Sequence, residues 1–284
     1  MSEQKRDCDT CELGQGSHCE TCPSKPKEGI RKLPVPDHSS IRNVIAVMSG
    51  KGGVGKSTVT ALLASTLAKK GKSVGVLDAD ITGPSIPKLF GIKHRPRNSE
   101  QGLIPPTSRL GIKIMSLNLL LPQEDAPVVW RGPLIGGAVQ QFWTDVVWGD
   151  LDYLVIDLPP GTGDAPLTVM QSLPLDGIIV VSSPQELSVM VVKKAIRMAG
   201  MLHVPILGVL ENMSYLTCPH CGERIDLFGP SHVEKAAQAE NLRFLGGLPV
   251  DPKIAALGDQ GEIEKYTGEF ITAGDIETIL GKNR

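Results

Sequence analysis

A doubly wound α/β fold on a mostly parallel sheet is what this sequence predicts, and three features predict it. Short apolar runs, of the kind that make strands buried on both faces, recur at 44–48, 73–77, 112–117, 153–157, 177–181 and 206–210. Segments with helical spacing lie between them, the alternation that yields parallel strands joined by crossover helices. Several runs end in glycine or in an acid, at what becomes the carboxyl edge where open parallel sheets bind ligands.

Residues 1–40 stand apart, with four cysteines, many charges, Pro23, Pro26, Pro34 and Pro36, and no apolar periodicity. They read as a small metal-dependent module and an extended linker ahead of a principal domain at 41–284. Cys8, Cys11, Cys19 and Cys22 offer four soft ligands in one short segment, a full set for tetrahedral zinc or for an iron-sulfur cluster. A redox pair and a plain tail with incidental cysteines compete with that reading.

The first apolar run, Val44-Ile45-Ala46-Val47-Met48, leads into Gly50-Lys51-Gly52-Gly53-Val54-Gly55-Lys56-Ser57-Thr58. This matches the phosphate-loop pattern G-x-x-x-x-G-K-[ST], in which backbone N–H groups and the first turn of a helix cradle phosphate oxygens. The glycines let the loop visit positive φ and approach an anion closely. Lys56 is expected to reach the β- and γ-phosphates, and the Ser57 hydroxyl to ligate Mg²⁺. Leu63, Ala64, Leu67 and Ala68 recur at helical spacing behind the loop, with Lys69-Lys70-Gly71 closing the helix.

The second strand delivers Asp78-Ala79-Asp80, and Gly83-Pro84-Ser85 with residues 86–91 reads as a turn and a short helix. Residues 93–109, with Lys93, His94, Arg95 and Arg97, read as a solvated polar loop. After the strand at 112–117, an amphipathic helix is expected to open at Trp130-Arg131-Gly132-Pro133 and to run through Val139, Phe142, Trp143, Val146 and Val147, its tryptophans in the core. The strand at 153–157 ends in Asp157, and an acid there typically serves the Mg²⁺ shell of a phosphate-loop protein. Ser183-Pro184-Gln185-Glu186 has the capping-box pattern, starting a helix that ends near Gly200. Next come the strand at 206–210 with Glu211-Asn212-Met213 at its end, a helix at 233–241 and a glycine-rich turn at 245–252.

The 284 residues carry a formal net charge of -2, which argues against a nucleic-acid partner. The polar N-terminus lacks the apolar core of a signal peptide, and no run reaches the length of a membrane span. A cytoplasmic protein with no membrane partner is expected, in which the six cysteines stay reduced. The third C-x-x-C pair, Cys218 and Cys221, supplies two thiolates that suit a cluster or half of a zinc knuckle.

These motifs together resemble the Mrp/ApbC-type iron-sulfur cluster carrier ATPases of the MinD/ParA superfamily, from Ile41 to the C-terminus. The resemblance rests on the deviant phosphate loop with its extra lysine, Asp78-Ala79-Asp80 with Gly83-Pro84-Ser85, Trp130-Arg131-Gly132-Pro133, Asp157-Leu158-Pro159-Pro160-Gly161, and Glu211-Asn212-Met213 ahead of Cys218-Pro219-His220-Cys221. It implies a P-loop NTPase that hydrolyses ATP with Mg²⁺ and carries a [4Fe-4S] cluster to apo iron-sulfur proteins. It further implies that Lys51 reaches across a homodimer to the other nucleotide, that Asp80 orients the attacking water and Asp157 the Mg²⁺ shell, and that Asn212, Pro249 and Asp251 lie at the adenine. Asp78 reads equally as a structural carboxylate and as a catalytic one. Two thiolates per chain from Cys218 and Cys221 become four at a two-fold axis, so a cluster bridging the homodimer is the expected arrangement. The N-terminal cysteine spacing departs from the family pattern, and a second cluster or structural Zn²⁺ suits it. A MinD- or ParA-like positioning ATPase and an ATP-gated electron donor are the competing functions.

Overall fold

The computed structural model describes residues 32–36, 38–80, 83, 85–121, 132–268, 275, 276, 278 and 280. The four N-terminal cysteines, Trp130 and Arg131 lie outside the described residues. Lys32–Arg284 forms one compact unit. In chain order its elements are β1 (Ser39–Ser49), α1 (Lys56–Lys69), β2 (Val74–Asp78), α2 (Ile86–Leu89), β3 (Arg97–Ser99), β4 (Gly102–Ile104), β5 (Lys113–Ser116), α3 (Gly132–Thr144), β6 (Gly149–Asp157) and α4 (Asp164–Ser172). Then follow β7 (Gly177–Ser182), α5 (Glu186–Met201), β8 (Ile206–Glu211), β9 (Leu216–Thr217), β10 (Arg224–Ile225), α6 (Val233–Ala239), β11 (Phe244–Gly247) and α7 (Pro252–Asp259).

Seven strands form one sheet in the order β11-β8-β7-β1-β6-β2-β5, and every neighbouring pair is parallel. β1 crosses over to β2 on one side and its neighbour β6 to β7 on the other, so the connections diverge between β1 and β6 and open a crevice at their carboxyl ends. β1 shows why the strands are apolar throughout. Val44, Ala46 and Met48 face one core with α3, α4, α5 and α6, whereas Ile45 and Val47 face the other with α1 and α2. A strand covered on both faces has no side that tolerates polarity.

Several elements differ from the sequence expectations. β1 starts at Ser39 because its polar first half pairs with Gly149 to Tyr153 of β6, where the Asn43 amide donates to the Asp152 carbonyl at 2.9 Å. The polar stretch at 93–109 contains a hairpin, β3–β4. α3 stops at Thr144 instead of running through Val147, since the Leu103 N–H donates to the Asp145 carbonyl at 2.7 Å and the Val147 N–H to the Leu103 carbonyl at 2.8 Å. The helix expected to open at Ser183 starts later. α5 begins at Glu186 behind an extended Gln185, with no side-chain cap. The glycine-rich stretch at 245–252 supplies most of the edge strand β11, and residues 32–36, expected in the linker, belong to the same compact unit as α3, with Trp143 Nε1 donating to the Pro34 carbonyl at 2.7 Å.

Candidate functional site

The crevice at the tips of β1, β2 and β6 gathers most of the candidate residues. β1 ends at Ser49, and the loop turns through Gly53 (φ 79°) and Gly55 (φ 77°) before α1 starts at Lys56. Both values lie in the left-handed region, where a side chain is strained. At Gly55 a Cβ would also stand 2.2 Å from Asn212 Nδ2, so this glycine is fixed by sterics as well as by dihedral. The first turn of α1 holds no acid, which leaves its N–H groups and dipole directed at the crevice.

Lys56 is buried and crosses to the carboxylates. Its Nζ lies 2.8 Å from Asp157 Oδ1 and 3.6 Å from Asp80 Oδ2. Ser57 Oγ donates to Asp157 Oδ2 at 2.5 Å, and Thr60 Oγ1 donates to Asp157 Oδ1 at 2.8 Å. The parallel register sets Asp78 beside Asp157 on neighbouring strands. Asp78 accepts from the Asp80 N–H at 3.1 Å and from Ser116 Oγ at 3.1 Å. Burial, then the Asp157 charge, raise its pKa well above the usual carboxylate range, and Lys56 opposes them. Hard oxygens from Ser57 and Asp157 are the donor set that Mg²⁺ takes, so these residues fit that ion.

Beside the loop lies a cavity of about 350 Å³ whose lining includes Gly55, Thr58, Asn212, Pro249, Val250 and Asp251. The Asn212 amide donates to the Val54 carbonyl at 2.9 Å, tying the tip of β8 to the phosphate loop. Asp251 caps α7 by accepting from the Lys253 N–H at 2.9 Å. Thus Gly55, Thr58, Asn212, Pro249 and Asp251 line the cavity, and the next residues of the same loop and helix, Lys56 and Ser57, are bonded to Asp157, with Asp80 beside Lys56.

Lys51 does not join the carboxylates within its own chain. Its Nζ donates to Gln185 Oε1 at 2.5 Å, at the start of α5. Cys218 and Cys221 form a separate feature, the turn of the β9–β10 hairpin, with Cys218 half-buried and Cys221 exposed. The Cys218 N–H donates to the Glu223 carbonyl at 2.8 Å and the Gly222 N–H to the Cys218 carbonyl at 2.9 Å. Hydrogen bonds from the Cys221 N–H, then from the His220 N–H and the Cys221 thiol, lower the Cys218 pKa. Among the described residues no group of three or more His, Cys, Asp or Glu side chains is placed to hold a metal ion.

Three contacts escaped the sequence reading. Thr60 stands one turn beyond Lys56 on the same face, a spacing that could have flagged it. The partners Gln185 for Lys51, at the start of α5, and Ser116 for Asp78, at the end of β5, come from distant parts of the chain and left no local signal.

A parallel sheet with a phosphate-binding loop at the reversal of strand order, a buried lysine and two facing carboxylates defines a P-loop nucleotide-binding protein. The chain belongs, more narrowly, to the ParA family of NUBPL iron-transfer P-loop NTPases, whose family model matches residues 40–280. An iron-sulfur cluster carrier protein of Methanocaldococcus jannaschii is 50% identical over 253 residues, covering 86% of this chain and 87% of the relative. One of Clostridium perfringens is 44% identical, covering 90% of this chain and 96% of its own. In structure, a nucleotide-binding protein from Archaeoglobus fulgidus in complex with ADP matches with a TM-score of 0.74 and 51% identity, over 80% of this chain and 90% of that one. The MinD cell division protein of Aquifex aeolicus, at 21% identity and a TM-score of 0.56 over 84% and 95% of the two chains, shares the fold.

Proposed function

We propose that this chain is an ATP-hydrolysing carrier that holds a [4Fe-4S] cluster between two copies of itself and passes it to apo iron-sulfur proteins. The observation that carries the proposal is the C-x-x-C turn: an exposed thiol beside one of lowered pKa, only two sulfur ligands, and no third ligand among the described residues. A cubane cluster takes four thiolates, and a second copy related by a two-fold axis provides the other pair. The family's iron-transfer description and the carrier names of the relatives support the same cargo.

In the nucleotide crevice, Lys56 is the residue that changes partners. It leaves Asp157 and Asp80 for the β- and γ-phosphates, whose charge replaces theirs. Bound Mg²⁺ supplies charge neutralisation across those phosphates, with Ser57 and Asp157 holding it. Asp80, released from Lys56, orients the attacking water, and Asn212, Pro249 and Asp251 receive the adenine in the cavity beside the loop. Lys51 of each copy completes the opposite site. Cys8, Cys11, Cys19 and Cys22 hold a second metal centre, a cluster or Zn²⁺.

The test is iron, sulfide and zinc analysis of protein purified and reconstituted anaerobically. Wild type is compared with Cys218→Ala/Cys221→Ala and with the four N-terminal cysteines changed to Ser. Loss of iron and sulfide in the first variant, and their transfer from wild type to an apo acceptor, is the expected result. Zinc alone after reconstitution with iron and sulfide removes the cargo and with it the carrier.

A further inference from the structure

The Cys218–Cys221 turn and the nucleotide cavity are built from the two ends of one short segment. β8 ends at Glu211, Asn212 follows with its amide on the Val54 carbonyl of the phosphate loop, and the cysteine hairpin begins just beyond Ser214. Glu211 is buried, yet it uses both carboxylate oxygens on serines. Oε1 accepts from Ser214 Oγ, immediately before the hairpin segment, and Oε2 accepts from Ser231 Oγ, immediately after it. One carboxylate therefore closes residues 215–230 into a loop at its base. Ser231 Oγ in turn accepts from the Val233 N–H at 3.1 Å, which anchors that foot to α6. Opposite Ser214 stands Gly247, where a Cβ would come within 2.3 Å of the serine hydroxyl oxygen, so the clasp has been given room.

The Ser214 foot is also bonded to the stretch that enters the wall of the nucleotide cavity. The Ser214 N–H donates to the Leu248 carbonyl at 2.8 Å, and the Val250 N–H donates to the Tyr215 carbonyl at 2.7 Å. Val250 lines the cavity, and Asn212 and Met213 line it from the other side of the clasp. Within the hairpin, the Arg224 guanidinium sits over the Tyr215 ring at 4.3 Å from its centroid, and Thr217 pairs with Arg224 and Leu216 with Ile225. The hairpin thus joins its base as a braced unit, and a shift at the base is a shift at the cysteines.

We infer that Glu211 is a positioning residue: by clasping Ser214 and Ser231 it sets the cysteine hairpin on the strand tip that forms the nucleotide cavity, so that nucleotide occupancy is read out at Cys218 and Cys221. The inference rests on the carrier reading for its purpose, since it names how ATP governs grip on the cargo. Its physical content needs no metal. Coupling between sites requires an element that both bias, and the 211–215 segment is that element.

The experiment is peptide-resolved alkylation of Cys218 and Cys221 by N-ethylmaleimide in full-length, metal-free, reduced protein at one fixed pH. It is run with and without a non-hydrolysable ATP analogue, whose affinity is measured alongside. In wild type the analogue changes the alkylation rate by about threefold or more, within the range that coupling energies span. Ser231→Ala and Ser214→Ala each free one foot, and Glu211→Ala frees both. The expected result is faster alkylation without nucleotide and loss of the nucleotide response, with analogue affinity changed by no more than the factor of the wild-type response, as reciprocity requires. Restoration of the response by Ser231→Thr, which keeps the hydroxyl, separates the clasp from mere packing. Because the residues share one contact, Glu211→Ala and Ser231→Ala do not add when combined. Should Glu211→Ala fail to fold, the serine variants decide alone. A nucleotide response that persists at wild-type size in both serine variants, or that is absent from wild type, overturns the clasp. Wild type that responds to nucleotide but never holds a cluster instead overturns the carrier reading and leaves the clasp standing.

Discussion

Asp78 illustrates how one side chain is decided by its neighbours. It sits fully inside the molecule, with Asp157 on the adjacent strand and Asp80 two residues on, and only Lys56 as counter-charge. Burial above all, then the two carboxylates, favour its neutral form in the fold. A carboxyl whose folded pKa is raised contributes stability that is complete below its unfolded pKa and is lost as pH rises through the folded value. Asp78→Asn fixes a neutral group of the same shape, whose amide oxygen still accepts from the Asp80 N–H and whose NH₂ reaches Ser116 Oγ. The nucleotide-free variant is therefore expected to melt above wild type at pH 8, with the gap closing towards pH 4. Thermal melts across that interval measure it. ATP turnover of the same variant separates the two roles that the sequence left equal. Retained turnover makes Asp78 a structural group that keeps a third negative charge away from the phosphates, whereas turnover lost with affinity intact makes it catalytic.

At the scale of elements, what was legible was what local sequence encodes. The apolar runs that became β1, β2, β5, β6, β7 and β8 are buried on both faces, and a strand in that position can be written in few ways. The phosphate loop was equally plain, because positive φ at Gly53 and Gly55 and the Lys56-Ser57 pair are local requirements. What escaped depended on residues far along the chain. α3 stops where Leu103 takes up the Asp145 carbonyl, and nothing near Asp145 announces residue 103. Ser183-Pro184 reads locally as a helix start, but Gln185 takes an extended backbone, so the helix opens at Glu186. α3 also carries a checkable prediction about residues 33–36. Trp143 is wholly buried, packs into the same core as Phe142 and Trp148, and donates to the Pro34 carbonyl. Trp143→Ala is expected to cost about 3–5 kcal/mol through the cavity it leaves. Trp143→Phe keeps much of the ring and loses the bond that holds residues 33–36 down, for about 1–2 kcal/mol. Denaturant unfolding gives both values, and limited proteolysis near Pro34 should quicken in the Phe variant.

At the scale of the whole molecule, one observation bears on how many chains make a working site. Lys56, Asp80 and Asp157 are brought together within the protomer, whereas Lys51, from the same loop, is held away on Gln185. If Lys51 acts from the opposite copy, each site needs Lys56 from one chain and Lys51 from the other, and the two requirements can be divided between chains. Lys51→Ala alone should bind ATP with near wild-type affinity and lose turnover by about 10³-fold, the scale of a cation supplied in trans. Lys56→Ala alone should lose turnover together with nucleotide affinity. In the proposed homodimer, a mixture of the two variants pairs a Lys56-bearing chain with a companion that supplies Lys51, so one site of the pair is whole and turnover reappears. A lysine acting within its own chain gives the opposite result, because every chain in the mixture then lacks one of the two. Turnover measured against mixing ratio thus reports the assembly directly, without reference to a cluster. It also shows whether the carrier closes on its nucleotide and on its cargo as the same dimer: added cluster should raise the restored rate only if both closures bring the same two faces together.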